Sequence, residues 1–159
     1  MPNAFTMGAV SDRGEIVNAP LRQLYDHWRE LMPDSGGLPR SADIRLEQAA
    51  DAQPHHWWFD AVGTGTDFVG RSFGEETIRR YRIDLTGRPL ADLSRYPVIA
   101  RVTLMLRHPF QEGRPFRFWS ETSLIPDTDV YDVEALSLPL ADGEGRLHSI
   151  LGGTVFNAK

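Results

Sequence analysis

Gly87, set between Thr86 and Arg88 and followed by Pro89, constrains this chain more than any other feature. A residue without Cβ adopts φ > 0 cheaply, so glycine after Ile83, Asp84, Leu85 and Thr86 predicts a helical turn that ends at Gly87. Pro89 cannot continue that helix, but its fixed φ suits the first turn of another, which Leu90 and Leu93 anchor inward. The stretch from Arg80 to Leu93 therefore reads as two short helices set at an angle. It is the hinge between a first half of helix and strand and a second half of one longer helix followed by three strands.

Ahead of the hinge, residues 1 to 17 have no usable period, and Gly8 and Gly14 weaken any helix, so a flexible leader is expected there. From Asn18 the pattern changes. Asn18 or Ala19 can cap, Pro20 sits in the first turn, and Leu21, Leu24, Tyr25, Trp28, Leu31 and Met32 recur at three and four until Pro33 stops the run. This amphipathic helix either folds onto its own domain or docks against a second copy. A homodimer through residues 20 to 32, seamed by Leu21, Leu24, Tyr25, Trp28 and Leu31, is the expectation. A turn-rich connector (34 to 39) and a short helix (43 to 52) lead to a strand. In it Trp57, Phe59 and Ala61 share an apolar face, and His56, Trp58, Asp60 and Val62 share another that can receive the amphipathic helix. Gly63 and Gly65 turn the chain into a paired strand from Phe68 to Phe73.

After the hinge, Ser94 is expected to cap a helix from Arg95 to Arg107 with Val98, Ile99, Val102, Met105 and Leu106 inward and Pro109 as its stop. Three alternating strands follow, Phe116 to Leu124, Val130 to Leu140 and Arg146 to Phe156, the last two joined tightly through Asp142, Gly143, Glu144 and Gly145. In the second, Val130, Asp132, Glu134, Leu136 and Leu138 lie opposite Tyr131, Val133, Ala135 and Ser137.

With 159 residues, 41% of them hydrophobic and 25% charged, one core suffices, and a single domain over residues 18–157 is expected. The chain has no cysteine, which excludes disulfides, thiolate metal sites, cysteine nucleophiles and any covalently linked flavin or thioester-linked chromophore. Seventeen basic against 22 acidic residues leave a net charge of −5, so no basic field gathers phosphate backbones and nucleic acid is not an expected partner. No apolar run approaches the ~20 residues that span a bilayer, and no signal core opens the chain, so a cytoplasmic protein without a membrane partner is expected.

The chemistry-bearing residues are scattered. His55 and His56 point to opposite faces of a strand, and no histidine pair has helical ligand spacing, so no metal site is expected. Haem is not expected either; His108 or His148 would have to ligate it. Asp60, Glu121 and Glu134 sit on strands where arginine such as Arg117 or Arg146 can pair with them. Alternatively, Glu134 projects between sheet and helices and orients a ligand. The aromatic set is either core or the lining of a cavity. The candidate ligand pocket is Trp57, Phe59, Tyr81, Val102, Met105, Phe118, Glu134 and Leu136. A rival reading is a small enzyme of the curved-sheet cone type, with Asp60 and His148 as its acid–base couple.

Four short runs carry a resemblance: His27-Trp28-Arg29 with Leu31; Leu38-Pro39-Arg40-Ser41-Ala42-Asp43-Ile44; Asp84-Leu85-Thr86-Gly87-Arg88; and Leu138-Pro139-Leu140-Ala141-Asp142. In that order, and with three closing strands, the chain resembles a PAS domain, and more narrowly the alphaproteobacterial PAS-like family of small, often single-domain proteins. The resemblance implies an α+β fold: a five-stranded antiparallel sheet with short helices on one face, here with an added N-terminal amphipathic helix. It further implies a non-catalytic sensory or regulatory role, exercised on a small ligand or a protein partner and signalled by protein contact. Two departures stand out. Arg45 and Leu46 replace an Asp-Pro pair, and Arg82 replaces a glycine, where an arginine at φ > 0 would be strained.

Overall fold

Alternating apolar residues on six extended segments build one antiparallel sheet in the computed structural model, which describes residues 5–121 and 130–158. The strands are β1 (Phe5–Ala9), β2 (His56–Val62), β3 (Asp67–Phe73), β4 (Phe116–Ser120), β5 (Val130–Ala141) and β6 (Leu147–Ala158). Their spatial order is β1-β4-β5-β6-β2-β3, an open sheet with β1 and β3 at its edges. Three α-helices, α1 (Ala19–Glu30), α2 (Glu75–Tyr81) and α3 (Pro97–Glu112), flank it together with short 3-10 turns.

The sheet has six strands where five were expected. The sixth, β1, comes from the segment read as a leader: it pairs with β4 from Phe5 opposite Ser120 to Ala9 opposite Phe116, and Phe5 stacks on Phe118 with ring centroids 6.1 Å apart. Its order is supplied by that ladder, which leaves no local period. β4 ends at Ser120, and the expected continuation over residues 122 to 124 lies outside the described residues.

Strand alternation gives the sheet two buried faces. On one, Leu136, Leu138 and Leu140 of β5, with Trp58, Leu151 and Val155, pack against Leu21, Leu24, Tyr25 and Trp28 of α1. The indole Nε1–H of Trp28 donates to the Pro139 carbonyl at 2.8 Å. This geometry corrects the expectation of a dimer seam through α1. Leu21 and Leu24 are fully buried and Tyr25 and Trp28 nearly so within one chain, with Leu31 half-buried beside them, and a face already covered has no apolar area left to offer a second copy. On the other face Trp57, Phe59, Phe116, Phe118, Ala135 and Ile150 pack against Ile99, Val102, Met105 and Leu106 of α3.

α3 outruns its expected stop. It begins with Pro97 in its first turn, passes through Pro109 and ends at Gly113, which takes φ 66°. A proline inside a helix leaves the carbonyl four residues back without its donor. That carbonyl is Met105, and Ser137 Oγ of β5 donates to it at 2.7 Å, so the sheet supplies the bond that the helix lacks. The hinge is also displaced. α2 closes on Arg82, at φ 58° and ψ 24°, and Gly87 instead turns the chain along the outer edge of β3. There the Gly87 N–H donates to the Gly70 carbonyl at 2.8 Å and the Gly70 N–H donates to Arg88 O at 3.3 Å. A Cβ on residue 70 would stand 2.1 Å from the Leu85 carbonyl oxygen, so only glycine lets the hinge lie this close.

Residues 38 to 44 lie where β4 no longer reaches β5: the Ala141 N–H donates to Pro39 O at 2.8 Å, and Ser41 Oγ lies 2.9 Å from Ser149 Oγ. The backbone N–H of Arg45 donates to Nε2 of buried His27 at 3.0 Å, which requires a neutral ring, and burial holds the His27 pKa below its ordinary value.

Glu134, at the centre of the sheet and wholly buried, faces α1. Its carboxylate accepts the Val17 N–H at 2.9 Å, the Asn18 N–H at 2.8 Å and the Asn18 side-chain amide at 2.7 Å, and it pairs with Arg117 of β4. Burial alone would raise its pKa; the Val17 N–H, the Arg117 guanidinium and the two Asn18 donors outweigh that and hold it below the ordinary carboxylate value. Asn18 makes no side-chain cap on α1, and the Glu134 carboxylate sits at that positive helix end instead. Glu134→Gln should cost about 2–4 kcal/mol of stability, because a neutral amide leaves Arg117 uncompensated and turns a donor toward donors. Denaturant melts against pH check the linkage. Because the folded pKa of Glu134 is lowered, its contribution is complete at neutral pH and disappears as pH falls below the ordinary glutamate range, an acid limb that Glu134→Gln should flatten. His27, also lowered, gives a separate loss as pH falls below about 6.5.

Candidate ligand cleft

β2 and β4 present Trp57, Phe59 and Phe118 to α3, and the 3.6-residue period of that helix brings Val102 and Met105 down on them. Tyr81, the last residue of α2, reaches in beside Val102 and Met105. Those six residues of the expected pocket meet. Glu134 and Leu136 do not join them, which corrects the reading of Glu134 as a ligand-orienting group in that space. Side chains alternate along β5, so Ala135 and Ser137 face α3 whereas Glu134 and Leu136 face α1.

The space left between sheet and α3 is small. One cavity of about 40 Å³ is lined by Phe5, Tyr81, Val98, Arg101, Met105 and Phe118 among others, and a second of about 10 Å³ lies between Trp57, Phe59, Phe73 and Leu85. The first holds little more than a water's share of volume, roughly 30 Å³, whereas small-molecule pockets run to roughly 300–1,000 Å³. Aromatic packing fills the rest: Trp57 and Phe59 have centroids 5.9 Å apart, Phe59 and Phe73 5.2 Å, and Phe116 and Phe118 6.2 Å.

A larger space opens on the flank. Between the end of α2 and the first turns of α3 lies a cleft of about 370 Å³, lined by Tyr81, Arg82, Ile83, Leu85, Leu93, Tyr96, Pro97, Val98, Ile99 and Val102. Tyr81, Val98 and Val102 line this cleft and also the 40 Å³ cavity, so they form the partition between them. The Tyr81 hydroxyl is enclosed and hydrogen-bonded to the Thr154 side chain, whose Oγ1 accepts the Trp57 Nε1–H at 2.9 Å. Burial pushes the Tyr81 pKa up to about 12, with the Thr154 bond acting the other way, so the phenol stays neutral and works as a strut from cleft to sheet. Beside it Arg101 donates to Ser120 Oγ at 3.2 Å, and its guanidinium lies 4.8 Å over the Phe5 ring.

Most of the cleft escaped the sequence reading. Periodicity places Leu93 in a helix and Val98 in a core but gives Arg82, Ile83, Tyr96 and Pro97 no pocket signal, since they converge only through the left-handed turn at Arg82 and the start of α3 at Pro97. The one available clue was Arg82 itself, a bulky residue standing where the resemblance has glycine.

The couple of the rival enzyme is outside this region. His148 Nε2 lies 3.6 Å from Asp60 Oδ1, with each side chain more than a third exposed, and Asp60 also meets Arg71 at 3.4 Å. Neither Asp60 nor His148 lines the cavity or the cleft, and the sheet is open where a cone would wrap. The buried His56 ring is held on both nitrogens, Nδ1 2.6 Å from Gln53 O and Nε2 2.8 Å from Ser72 Oγ. Among the described residues no three His, Asp or Glu side chains gather as a metal site, and no helix is long and apolar enough to cross a membrane.

No family model matches the chain, and no curated protein matches it. Among solved structures it is similar to an RNA-binding light-oxygen-voltage receptor, with a TM-score of 0.52 and 16% identity over 97% of this chain and 39% of that one. The chain thus spans about two fifths of the receptor's length. The likeness shows an α+β fold of the PAS/LOV type: an antiparallel sheet with flanking short helices, here open and six-stranded.

Arg82 pays a backbone penalty for closing the cleft, since a non-glycine residue in the left-handed region is disfavoured by roughly 1 kcal/mol. Thermal melts should rank Arg82→Val clearly below the parent protein, because a β-branched side chain is the worst fit to φ 58°.

Proposed function

We propose that this chain is a cytoplasmic, non-catalytic sensory or regulatory domain, of the kind found in the alphaproteobacterial PAS-like family, that binds a small apolar molecule in its flank cleft and signals to a protein partner by contact. The observation that carries the reading is the sharing of Tyr81, Val98 and Val102 between the 370 Å³ cleft and the cavity under α3. A guest in the cleft presses on the residues that also set the distance between α3 and the sheet, and through the Tyr81 hydroxyl it reaches Thr154 and Trp57 on β6 and β2. A guest that binds one spacing of α3 better than another shifts the population between them, which is all that a sensor requires. The interior supports a flank site over a central one, as its voids hold little beyond a water. A net charge of −5 supplies no counterpart to phosphate, so the RNA binding named for the receptor does not carry over to this chain.

Anilinonaphthalene sulfonate, a fluorescent probe of apolar clefts, tests the site. It should bind saturably, one per chain, and Val98→Trp, which fills the cleft from its inner wall, should weaken binding by about tenfold or more. Equal binding by the variant would show that the cleft does not hold the probe. Native mass spectrometry of the purified chain should in turn reveal a retained small molecule that Val98→Trp loses.

A further inference from the structure

The two edges of the sheet are treated differently. Residues Thr86 to Pro89 lie along the outer edge of β3 and hydrogen-bond to Gly70. Along the outer edge of β1 no described residue does the same, and Thr6, Met7 and Gly8 are exposed, Met7 by 44%. The phase of the ladder shows which groups face out. The Val10 N–H donates to Pro115 O at 2.9 Å, and the register that sets Ala9 opposite Phe116 sets Val10 opposite Pro115. Hydrogen-bonded pairs alternate along an antiparallel ladder, so Gly8 and Thr6 turn their amides inward to β4 while Phe5, Met7 and Ala9 turn theirs outward. Natural edges are blunted by charge, proline or a bulge, and Phe5-Thr6-Met7-Gly8-Ala9 has none of these.

A second observation lies on the α3 face. Phe5 packs there, and Met7, two residues on, shares its side. Arg101 lies 4.8 Å over Phe5, and the His108 ring is 5.9 Å from that of Phe116. Leu104, three residues after Arg101 and four before His108, is on the same helical stripe and is 40% exposed. The bare edge thus carries exposed apolar side chains along one flank.

We propose that β1 is a self-pairing strand that joins two copies of this chain. A two-fold axis through Met7, normal to the sheet, sets Met7 against its own counterpart and Phe5 against Ala9 of the second copy, so that every outward N–H meets an outward C=O. An uncharged five-residue strand is self-complementary in this arrangement, with no like charges opposed. The same axis keeps both α3 helices on one face of the doubled sheet, where Met7 and Leu104 of each copy close over the seam. A foreign strand would satisfy the hydrogen bonds but would leave this two-fold flank unused.

Sedimentation velocity on the full chain across a concentration series tests the proposal, with the mass expected to double. The residue-7 N–H points away from β4, so Met7→Pro removes an outward donor and spares the β4 ladder; Met7→Lys adds the charge that edges ordinarily carry. Both variants should stay monomeric with unchanged circular dichroism. The chain has no cysteine, so Met7→Cys provides a lone thiol that meets itself at the axis and should oxidise to a covalent dimer, whereas Val62→Cys, 43% exposed at the far end of β2, should not. A monomer at every concentration, a dimer that survives both Met7→Pro and Met7→Lys, or equal cross-linking at residues 7 and 62 would overturn it.

Discussion

A carboxylate with no access to water sits in the middle of this sheet, and its need for partners organises one whole side of the molecule. Glu134 is tolerable there only because Arg117 on the neighbouring strand and the amides of Val17 and Asn18 all reach it. Those contacts pin the entry to α1. With its start held over β5, the helix lays Leu21, Leu24 and Trp28 along Leu136, Leu138 and Leu140, and the Trp28 indole finds the Pro139 carbonyl. β4 register, β5 register and the position of α1 are therefore mutually dependent.

On the opposite face the corresponding device is a proline. Pro109 deprives α3 of one internal bond, and Ser137 on the same strand as Glu134 replaces it, so β5 holds a helix on each side through a single polar residue facing each way. Close docking of α3 leaves little room for a guest beneath it. Vacant space is displaced to the rim, where α2 ends and α3 begins, and the Tyr81 hydroxyl ties that rim to Thr154 and Trp57. Packing thus connects the rim to the sheet, with Tyr81, Val98 and Val102 as the shared wall.

Legibility varied with the range of the interaction. The split of Trp57 and Phe59 from Trp58, the stripe on α1 and the alternation of β5 were readable, because periods of 2 and 3.6 residues are written in neighbouring positions. The direction of Glu134 was readable from parity, yet its task was not: Val17 and Asn18 lie more than a hundred residues away in sequence. β1 was hidden for the same reason, since a strand of five with two small residues acquires order only from β4. The helix stop was misplaced at Gly87 because glycine is the ordinary left-handed residue, and the chain uses Arg82 there while keeping Gly87 for the turn along Gly70.

By itself the sequence determined an α+β chain with one amphipathic helix, a Gly/Pro hinge, three closing strands and no thiol chemistry, all properties of composition or of local periodicity. Only the tertiary structure decided which face α1 would cover, that β1 would join the sheet, that the larger space beside α3 would open at the rim and that Glu134 would hold the start of α1. Each of those outcomes turns on pairing between segments far apart in the chain. Such pairing is selected by the geometry of the assembled core, where one buried charge or one close backbone approach outweighs many local preferences.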